Sequence, residues 1–357
     1  MSTIVSVIFA ILLFSFLIFI HELGHFLAAK ASNVQVNEFA IFMGPAIFKK
    51  KIGETQYSIR CIPMGGFCAM EGEDEDTDNP RSFQKAAWWK RLIILLAGAA
   101  MNFIVGFLLF AIVFLPEDTM VVPVISSFEE GCTISGENGL QVGDEILEID
   151  GETIYVQSDV STILYFSDSN EHDVLVLRNE KEVLLENFLM ETHEFPNEDG
   201  TTSPRYGMSF TLIEPDFGQK IEYVWNQTID NVRNVRLSLQ MLVTGKASIK
   251  DMSGAVGMVD MMSDVATQSP GIAAAIMNML FFGGFIAVNL AVMNLLPIPA
   301  LDGGRAVGLL LTTGIEAITG KKINPKYEGY IHAAGMILLL AFIVLITFKD
   351  IFMIFKG

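Results

Sequence analysis

"FLIFIHELGHFLAAK" spans Phe16 to Lys30 and closes a long apolar run, with His21, Glu22 and His25 inside it. On a helix, residues i and i+4 share a face, so His21 and His25 can direct two imidazoles at one metal ion. Glu22 is offset by about 100° and stands beside that ion without ligating it. This is the HExxH pattern of zinc hydrolases, in which the metal brings the pKa of a bound water to about 7 and the glutamate takes its proton. The alternative, histidines satisfied inside a helix core, is weakened by location. A charged side chain at bilayer depth costs about 2.5–3.5 kcal/mol on insertion scales.

Two histidines do not complete such a site, because a catalytic zinc usually takes three protein ligands and a water. "NLLPIPALDGGR" (Asn294–Arg305) offers the third as Asp302. Pro297 and Pro299 end the helix before it, and Gly303 and Gly304 let the backbone turn closely after it. Asp302 can also be read as the cap of a following helix at 305–318. Charge favours the ligand: one Zn²⁺ with Glu22 and Asp302 ionised sums to zero, so each charge makes the others tolerable in a low-dielectric site. A helix begun at residue 3 places His21 about 27 Å along its axis, near the level of Asp302 just past the third apolar segment. Asn289 and Asn294 are further polar groups in or near that segment. They suit interhelical hydrogen bonds, or, for Asn294, contact with a substrate backbone or a developing oxyanion.

The rest of the chain fits a membrane setting. Its 357 residues are 51% hydrophobic and its mean hydropathy is +0.45, too apolar for an ordinary soluble domain. Four segments, 3–28, 92–115, 271–295 and 329–348, are long and apolar enough to span a bilayer. The start "MST" lacks Lys and Arg, and the first apolar run exceeds a signal-peptide core, so an uncleaved span is expected. Lys and Arg concentrate in 29–91 and in 305–326. The positive-inside rule therefore puts both connections in the cytoplasm and both termini, with 116–270, outside. The net charge of −18 and the absence of a basic patch exclude nucleic acid as a partner. Cys61, Cys68 and Cys132 form no CxxC pair and imply small, partly buried thiols.

Within the first connection, "VQVNEFAIFMGPAIF" and "TQYSIRCIPMGGFCAM" read as apolar strands joined through "KKKIGE". From pattern alone they suit a sheet dipping into the membrane at 35–70 or a small soluble hairpin. Segment 119–213 reads as a compact, mostly β domain with one or two helices. Its "GLQVGDEILEIDGETI" carries turns on both sides of an alternating strand, and "HDVLVLRNEKEVLLENF" reads as a hairpin turning at Arg178–Lys181. An amphipathic helix is expected over 221–242, then a segment to Ala266 bent at Gly254 and Gly257.

HELGH in the first span and "NLLPIPALDGG" at the third resemble the site-2 protease family of intramembrane zinc metalloproteases. "GETQYSIRCIPMGGFCAMEGEDED", "KRLIILLAGAAMNFIVGFLL", "GLQVGDEILEIDGETI" and "SIKDMSGAVGMVDM" are similar to its bacterial RseP/RasP-type subgroup, the third of these to that subgroup's PDZ domain. The likeness implies zinc held by His21, His25 and Asp302, Glu22 as general base, and Asn294 and Asn289 as substrate-handling residues. It implies a polytopic α-helical membrane protein with four transmembrane helices, a membrane-associated β-hairpin or sheet beside the site, and one extracytoplasmic PDZ domain. Four parts follow: 1–118, PDZ domain 119–213, amphipathic segment 214–270, and 271–357. The implied activity is cleavage of single-span membrane proteins within the lipid bilayer of the cytoplasmic membrane, after an upstream site-1 protease has cut them outside, with anti-sigma factors or signal-peptide remnants as substrates. The subgroup's usual Gly-Pro is here Gly98-Ala99 and Gly254-Ala255. A metal transporter would need polar residues through more of the helices, and an inactive PDZ scaffold would not need an intact HELGH with Asp302.

Overall fold

The computed structural model describes residues 3–73, 77–196, 201–246, 254–320 and 325–356. In chain order these form α1 (Thr3–Ala31), β1 (Val36–Ile52), β2 (Thr55–Met70), α2 (Trp88–Phe114) and β3 (Met120–Phe128). Then come β4 (Glu145–Ile149), β5 (Glu152–Thr153), α3 (Ser158–Phe166), β6 (Glu171–Arg178), β7 (Lys181–Leu189), β8 (His193–Pro196), β9 (Thr202–Arg205) and β10 (Met208–Ile213). Five helices end the chain: α4 (Phe217–Thr244), α5 (Ala255–Gln268), α6 (Ile272–Asn294), α7 (Asp302–Thr319) and α8 (Pro325–Lys356). Two compact units result, one from Met1–Phe110 with Thr244–Gly357, the other Ala111–Val243.

In the first unit, four helical stretches are long and apolar enough to cross a membrane: Ile4–Ala31, Trp88–Phe114, Ile272–Asn294 and Gly329–Asp350. Ile4, Ile8, Leu12 and Phe16 on α1, and Ile337, Leu338 and Leu345 on α8, are exposed. Apolar side chains on the outside as well as the inside of a helix are what a lipid solvent asks for. Where helices meet, small residues let backbones approach. A methyl on Gly283 would meet Leu13, and one on Gly284 would meet Phe110.

The sheet between α1 and α2 is more folded than a simple hairpin. Phe42, Gly44 and Gly65 take positive φ, so β1 and β2 each turn within their length. Val36–Ile41 pairs with Gly66–Met70, the same stretch also faces Gln56–Ile59, and Ala46–Ile52 pairs back on Thr55–Arg60. The segments therefore lie in the order 66–70, 36–41, 55–60, 46–52, and residues 66–70 form one edge. Phe39 and Cys68 pack with Ala29, Ile94, Ala306 and Leu309 in one buried cluster, which joins the sheet to α1, α2 and α7.

The second unit is a sheet in the order β10-β3-β4-β6-β7, with β5 paired to β4 and a separate β8-β9 pair. Ile125, Ile146, Ile149, Val174 and Val176 fill its core against Val160 and Leu164 of α3. The β6–β7 turn falls at Asn179–Glu180, both with positive φ, as a two-residue hairpin of primed type requires. Arg233 of α4 pairs with Asp159 of α3 at 2.6 Å and with Asp230. All three are buried, and this ties the amphipathic helix to its own unit. Asp230 sits high for an aspartate, because burial and the neighbouring Asp159 carboxylate outweigh Arg233.

One expectation needs correction. The segment after the amphipathic helix breaks at Gly254 as expected but does not bend at Gly257. Gly254 is extended and precedes α5, whereas Gly257 lies inside that helix, where its N–H and that of Gly254 donate to Asp350 Oδ2 at 3.1 and 2.8 Å. A carboxylate at the helix N-terminus satisfies donors that have no partner within the helix, so the helix starts early and runs through the glycine. α5 packs on α1, α6 and α8, within the first unit.

The turn between β1 and β2 is fastened to the end of α1. Glu54 takes Lys30 at 2.6 Å and both Arg81 Nη groups at 2.5 and 2.9 Å. Those hydrogen bonds, Arg81 first and then Lys30, hold the Glu54 carboxyl down to about 2. A depressed carboxyl contributes stability above its ordinary pKa near 4.5 and loses it as pH falls toward 2. The site is partly solvated, so the contribution is at most about 1 kcal/mol. The melting temperature of the wild type minus that of Glu54→Gln is expected to be positive at pH 6 and to shrink toward zero between pH 4.5 and 2. A difference independent of pH in differential scanning calorimetry would count against this fastening.

Candidate metal centre and active site

α1 continues through HELGH without a break, so His21 and His25 project one turn apart on the same face. The loop that delivers the third group is built from backbone contacts. Leu296 N–H donates to Met293 O, Ile298 N–H to Leu296 O, and Leu301 N–H to Ile298 O, with Ala300 in the left-handed region. The first turn of α7 then rests directly on this loop. A methyl on Gly303 would strike the Leu295 and Leu296 carbonyls, and one on Gly304 that of Ile298. Asp302, the first residue of α7, is held toward α1 as a result. The capping alternative is displaced by where its side chain goes: Asp302 Oδ2 lies 3.0 Å from His21 Nε2 and 3.2 Å from His25 Nε2.

The two Nε2 atoms are 3.2 Å apart. His21, His25 and Asp302 are the one group of three or more His, Cys, Asp or Glu with converging ligand atoms among the described residues. Zinc bonds of about 2.0–2.2 Å in a tetrahedron put ligand atoms roughly 3.4 Å from one another. The three observed edges are close to that value. Asp302 Oδ2 is buried and receives no well-aligned hydrogen bond. Three lone-pair donors converging on one small space, with the carboxylate oxygen left over, fit a zinc ion. Cys68 is not among the converging ligand atoms.

The histidines are also supported from behind. His25 Nδ1 donates to the Ile94 carbonyl at 2.8 Å, which leaves Nε2 with its lone pair free. α2 can come this close because Gly98 lacks a side chain: a Cβ there would meet His25 Nε2 and lie 2.7 Å from His21 Cε1. Gly24, within HELGH, packs on the Ala97 backbone in the same way. Glu22 points elsewhere, toward the 66–70 edge. Its Cγ lies 3.5 Å from the place a Cβ would take on Gly66. A cavity of about 470 Å³ opens beside Asp302, lined in part by Glu73, Arg91, Arg305 and His332, with Arg305 paired to Glu73. It is roomy and polar enough to hold water.

The converging group does not include the two asparagines. Asn289 returns its amide to Phe285 O at 2.9 Å on its own helix. Asn294 is the last residue of α6, where the Asp302 loop begins. Sequence reasoning missed Gly98 and Asn102 as parts of the site. Both lie in the family-like stretch "KRLIILLAGAAMNFIVGFLL", but only the crossing of α1 and α2 shows what they touch.

If Gly98 is the gap that lets the imidazoles stand, Gly98→Ala is expected to weaken zinc binding at least about tenfold, the low end of effects on groups that orient ligands. Zinc retention by the purified protein against a competing chelator measures this. Unchanged retention would show that α2 does not confine the histidines.

Comparison with known proteins agrees with this geometry. The sequence profile of Peptidase family M50 matches residues 9–342. A Clostridium perfringens protein, named as a candidate zinc metalloprotease, is 36% identical over 97% of this chain and 98% of its own length. The regulator of sigma-W protease RasP of Bacillus subtilis is 28% identical over 97% of this chain and 98% of its own. The zinc metalloprotease RasP of Bacillus licheniformis is likewise 28% identical, over the same shares. Both RasP alignments are longer than the 357 residues here, so those relatives carry inserted residues. The chain belongs to peptidase family M50, the site-2 protease family of zinc-dependent, multi-pass membrane metalloproteases.

Proposed function

We propose that this protein is an intramembrane endopeptidase whose zinc is held by His21, His25 and Asp302 and whose general base is Glu22. The observation that carries the proposal is the position of the 66–70 strand edge beside Glu22, the residue next in sequence to His21, with the three ligand atoms converging on the adjoining face of α1. A transmembrane helix hides its peptide bonds in its own hydrogen bonds. A strand edge offers replacements, so a locally unwound substrate can add to the sheet as a further strand.

Zinc, when bound, supplies Lewis acidity, which brings the pKa of a water to about 7 and polarises the scissile carbonyl. Glu22 accepts the proton of the attacking water at its carboxylate. It then returns that proton to the amine nitrogen as the C–N bond breaks. Asn294 is read as donating its amide to the substrate backbone or to the oxygen that gains charge. Asn289 is read as a second, weaker contact of the same kind. Water reaches the site through the polar cavity beside Asp302.

The remaining parts follow the same reading. Segment 119–213 acts as an extracytoplasmic PDZ domain, supported by its mostly β make-up and its hairpin. The Lys and Arg of 29–91 and 305–326 face the cytoplasm, which puts both termini outside and the active site near the cytoplasmic side of the inner membrane. Substrates are single-span proteins, such as anti-sigma factors or signal-peptide remnants. An upstream site-1 protease trims them first, and the PDZ domain admits only the trimmed form.

Reconstituted vesicles with full-length and pre-trimmed substrate test this. Wild type is expected to cut only the trimmed form. Glu22→Gln is expected to lose about 10²–10⁴-fold in rate while keeping zinc. Deletion of 119–213 is expected to extend cutting to the full-length form. Retained activity in Glu22→Gln removes the general-base assignment, and an uncut full-length substrate after the deletion removes size gating.

A further inference from the structure

Both site histidines turn their Nδ1 atoms toward α2. His25 Nδ1 meets a well-made acceptor, the Ile94 carbonyl at 2.8 Å. His21 Nδ1 meets the side chain of Asn102, whose Nδ2 lies 3.5 Å away. Ile94, Gly98 and Asn102 are spaced four apart and form one stripe of α2. α2 runs past α1 so that Asn102 serves His21, Gly98 leaves room for both rings, and Ile94 serves His25.

Asn102 is 1% exposed, and its Oδ1 is buried without a hydrogen-bond partner. A buried amide oxygen with no donor is unfavourable. The Nδ2-to-Nδ1 contact is long, and it demands a particular tautomer: Nδ1 must be the acceptor, so the ring proton must sit on Nε2. That is the atom aimed at Asp302 Oδ2. A neutral imidazole has one N–H and one lone pair, and a metal on Nε2 requires the N–H on Nδ1. A half-turn of the carboxamide exchanges Oδ1 and Nδ2, which have nearly the same shape. Oδ1 then accepts from His21 Nδ1–H, and the orphaned acceptor gains a donor.

We infer that Asn102 is a positioning residue for the metal centre: its carboxamide oxygen accepts from His21 Nδ1–H, fixes the ring's tautomer and orientation, and holds Nε2 ready for zinc. This rests on the reading of His21 as a ligand. The proton stays on His21 throughout, so no charge moves and Asn102 touches neither zinc nor substrate. The two histidines thus receive equivalent support from one helix face, a main-chain carbonyl for one and a side-chain carbonyl for the other.

Zinc affinity of the full-length, detergent-solubilised protein tests the inference, measured by competition with a chromogenic chelator. Asn102→Leu keeps the side-chain volume without an acceptor, and Asn102→Asp keeps the acceptor. Asn102→Leu is expected to weaken zinc about 10–100-fold, as loss of such an outer hydrogen bond does, and Asn102→Asp to stay within a few-fold of wild type. A packing role alone would give the reverse order. Equal affinity in Asn102→Leu and wild type, or equal loss in Asn102→Leu and Asn102→Asp, overturns the proposal. His21→Ala separates the two readings. If it loses zinc while Asn102→Leu does not, only the role of Asn102 fails; if it keeps wild-type affinity, the ligand assignment fails with it.

Discussion

Everything in the membrane unit depends on three lone-pair atoms brought within about 3 Å of one another in an apolar surround: His21 Nε2, His25 Nε2 and Asp302 Oδ2. Without a cation, such a cluster is an expensive thing to bury, because a carboxylate in low dielectric must be paired. With zinc, the divalent charge balances Asp302 and Glu22 together. The surrounding glycines express the same constraint. Gly24, Gly98, Gly303 and Gly304 each occupy a place where a single methyl would meet backbone or a ligand side chain. The site is therefore set by close approach of helices, and zinc and helix packing support each other.

In the proposed function, the sheet is the element that meets a polypeptide substrate. Its 66–70 edge lies along Glu22, and its opposite end is pinned by Glu54 to Lys30 and Arg81. α1 thus carries two of the three candidate ligands, His21 and His25, together with Glu22 and Lys30, one anchor of the sheet. A shift of the sheet relative to α1 would move the edge away from the base, so the ion pairs at the turn contribute to geometry more than to stability.

Much of this was legible in the sequence. HELGH has a helical period, a fixed ligand spacing and an environment that penalises idle charge, so three independent constraints meet on five residues. Asp302 was legible because prolines and glycines around it announce a non-helical approach. The four apolar helices announced themselves by length. The folding of β1 and β2 into four segments was hidden, because it depends on Phe42 taking positive φ, which a phenylalanine rarely does. The continuation of α5 through Gly257 was hidden too, because the carboxylate that favours it comes from Asp350, far along the chain. Asn102 was invisible for a related reason: a lone amide in a span has many uses, and its use is set by the residue opposite.

The central claim is the identity of the ligand set. X-ray absorption at the zinc edge, on protein loaded with one equivalent of zinc, tests it most directly. Two imidazole nitrogens and oxygen scatterers at about 2.0–2.2 Å, with no sulfur, are the expected first shell. A sulfur scatterer near 2.3 Å, or a single imidazole, would contradict the assignment of His21, His25 and Asp302.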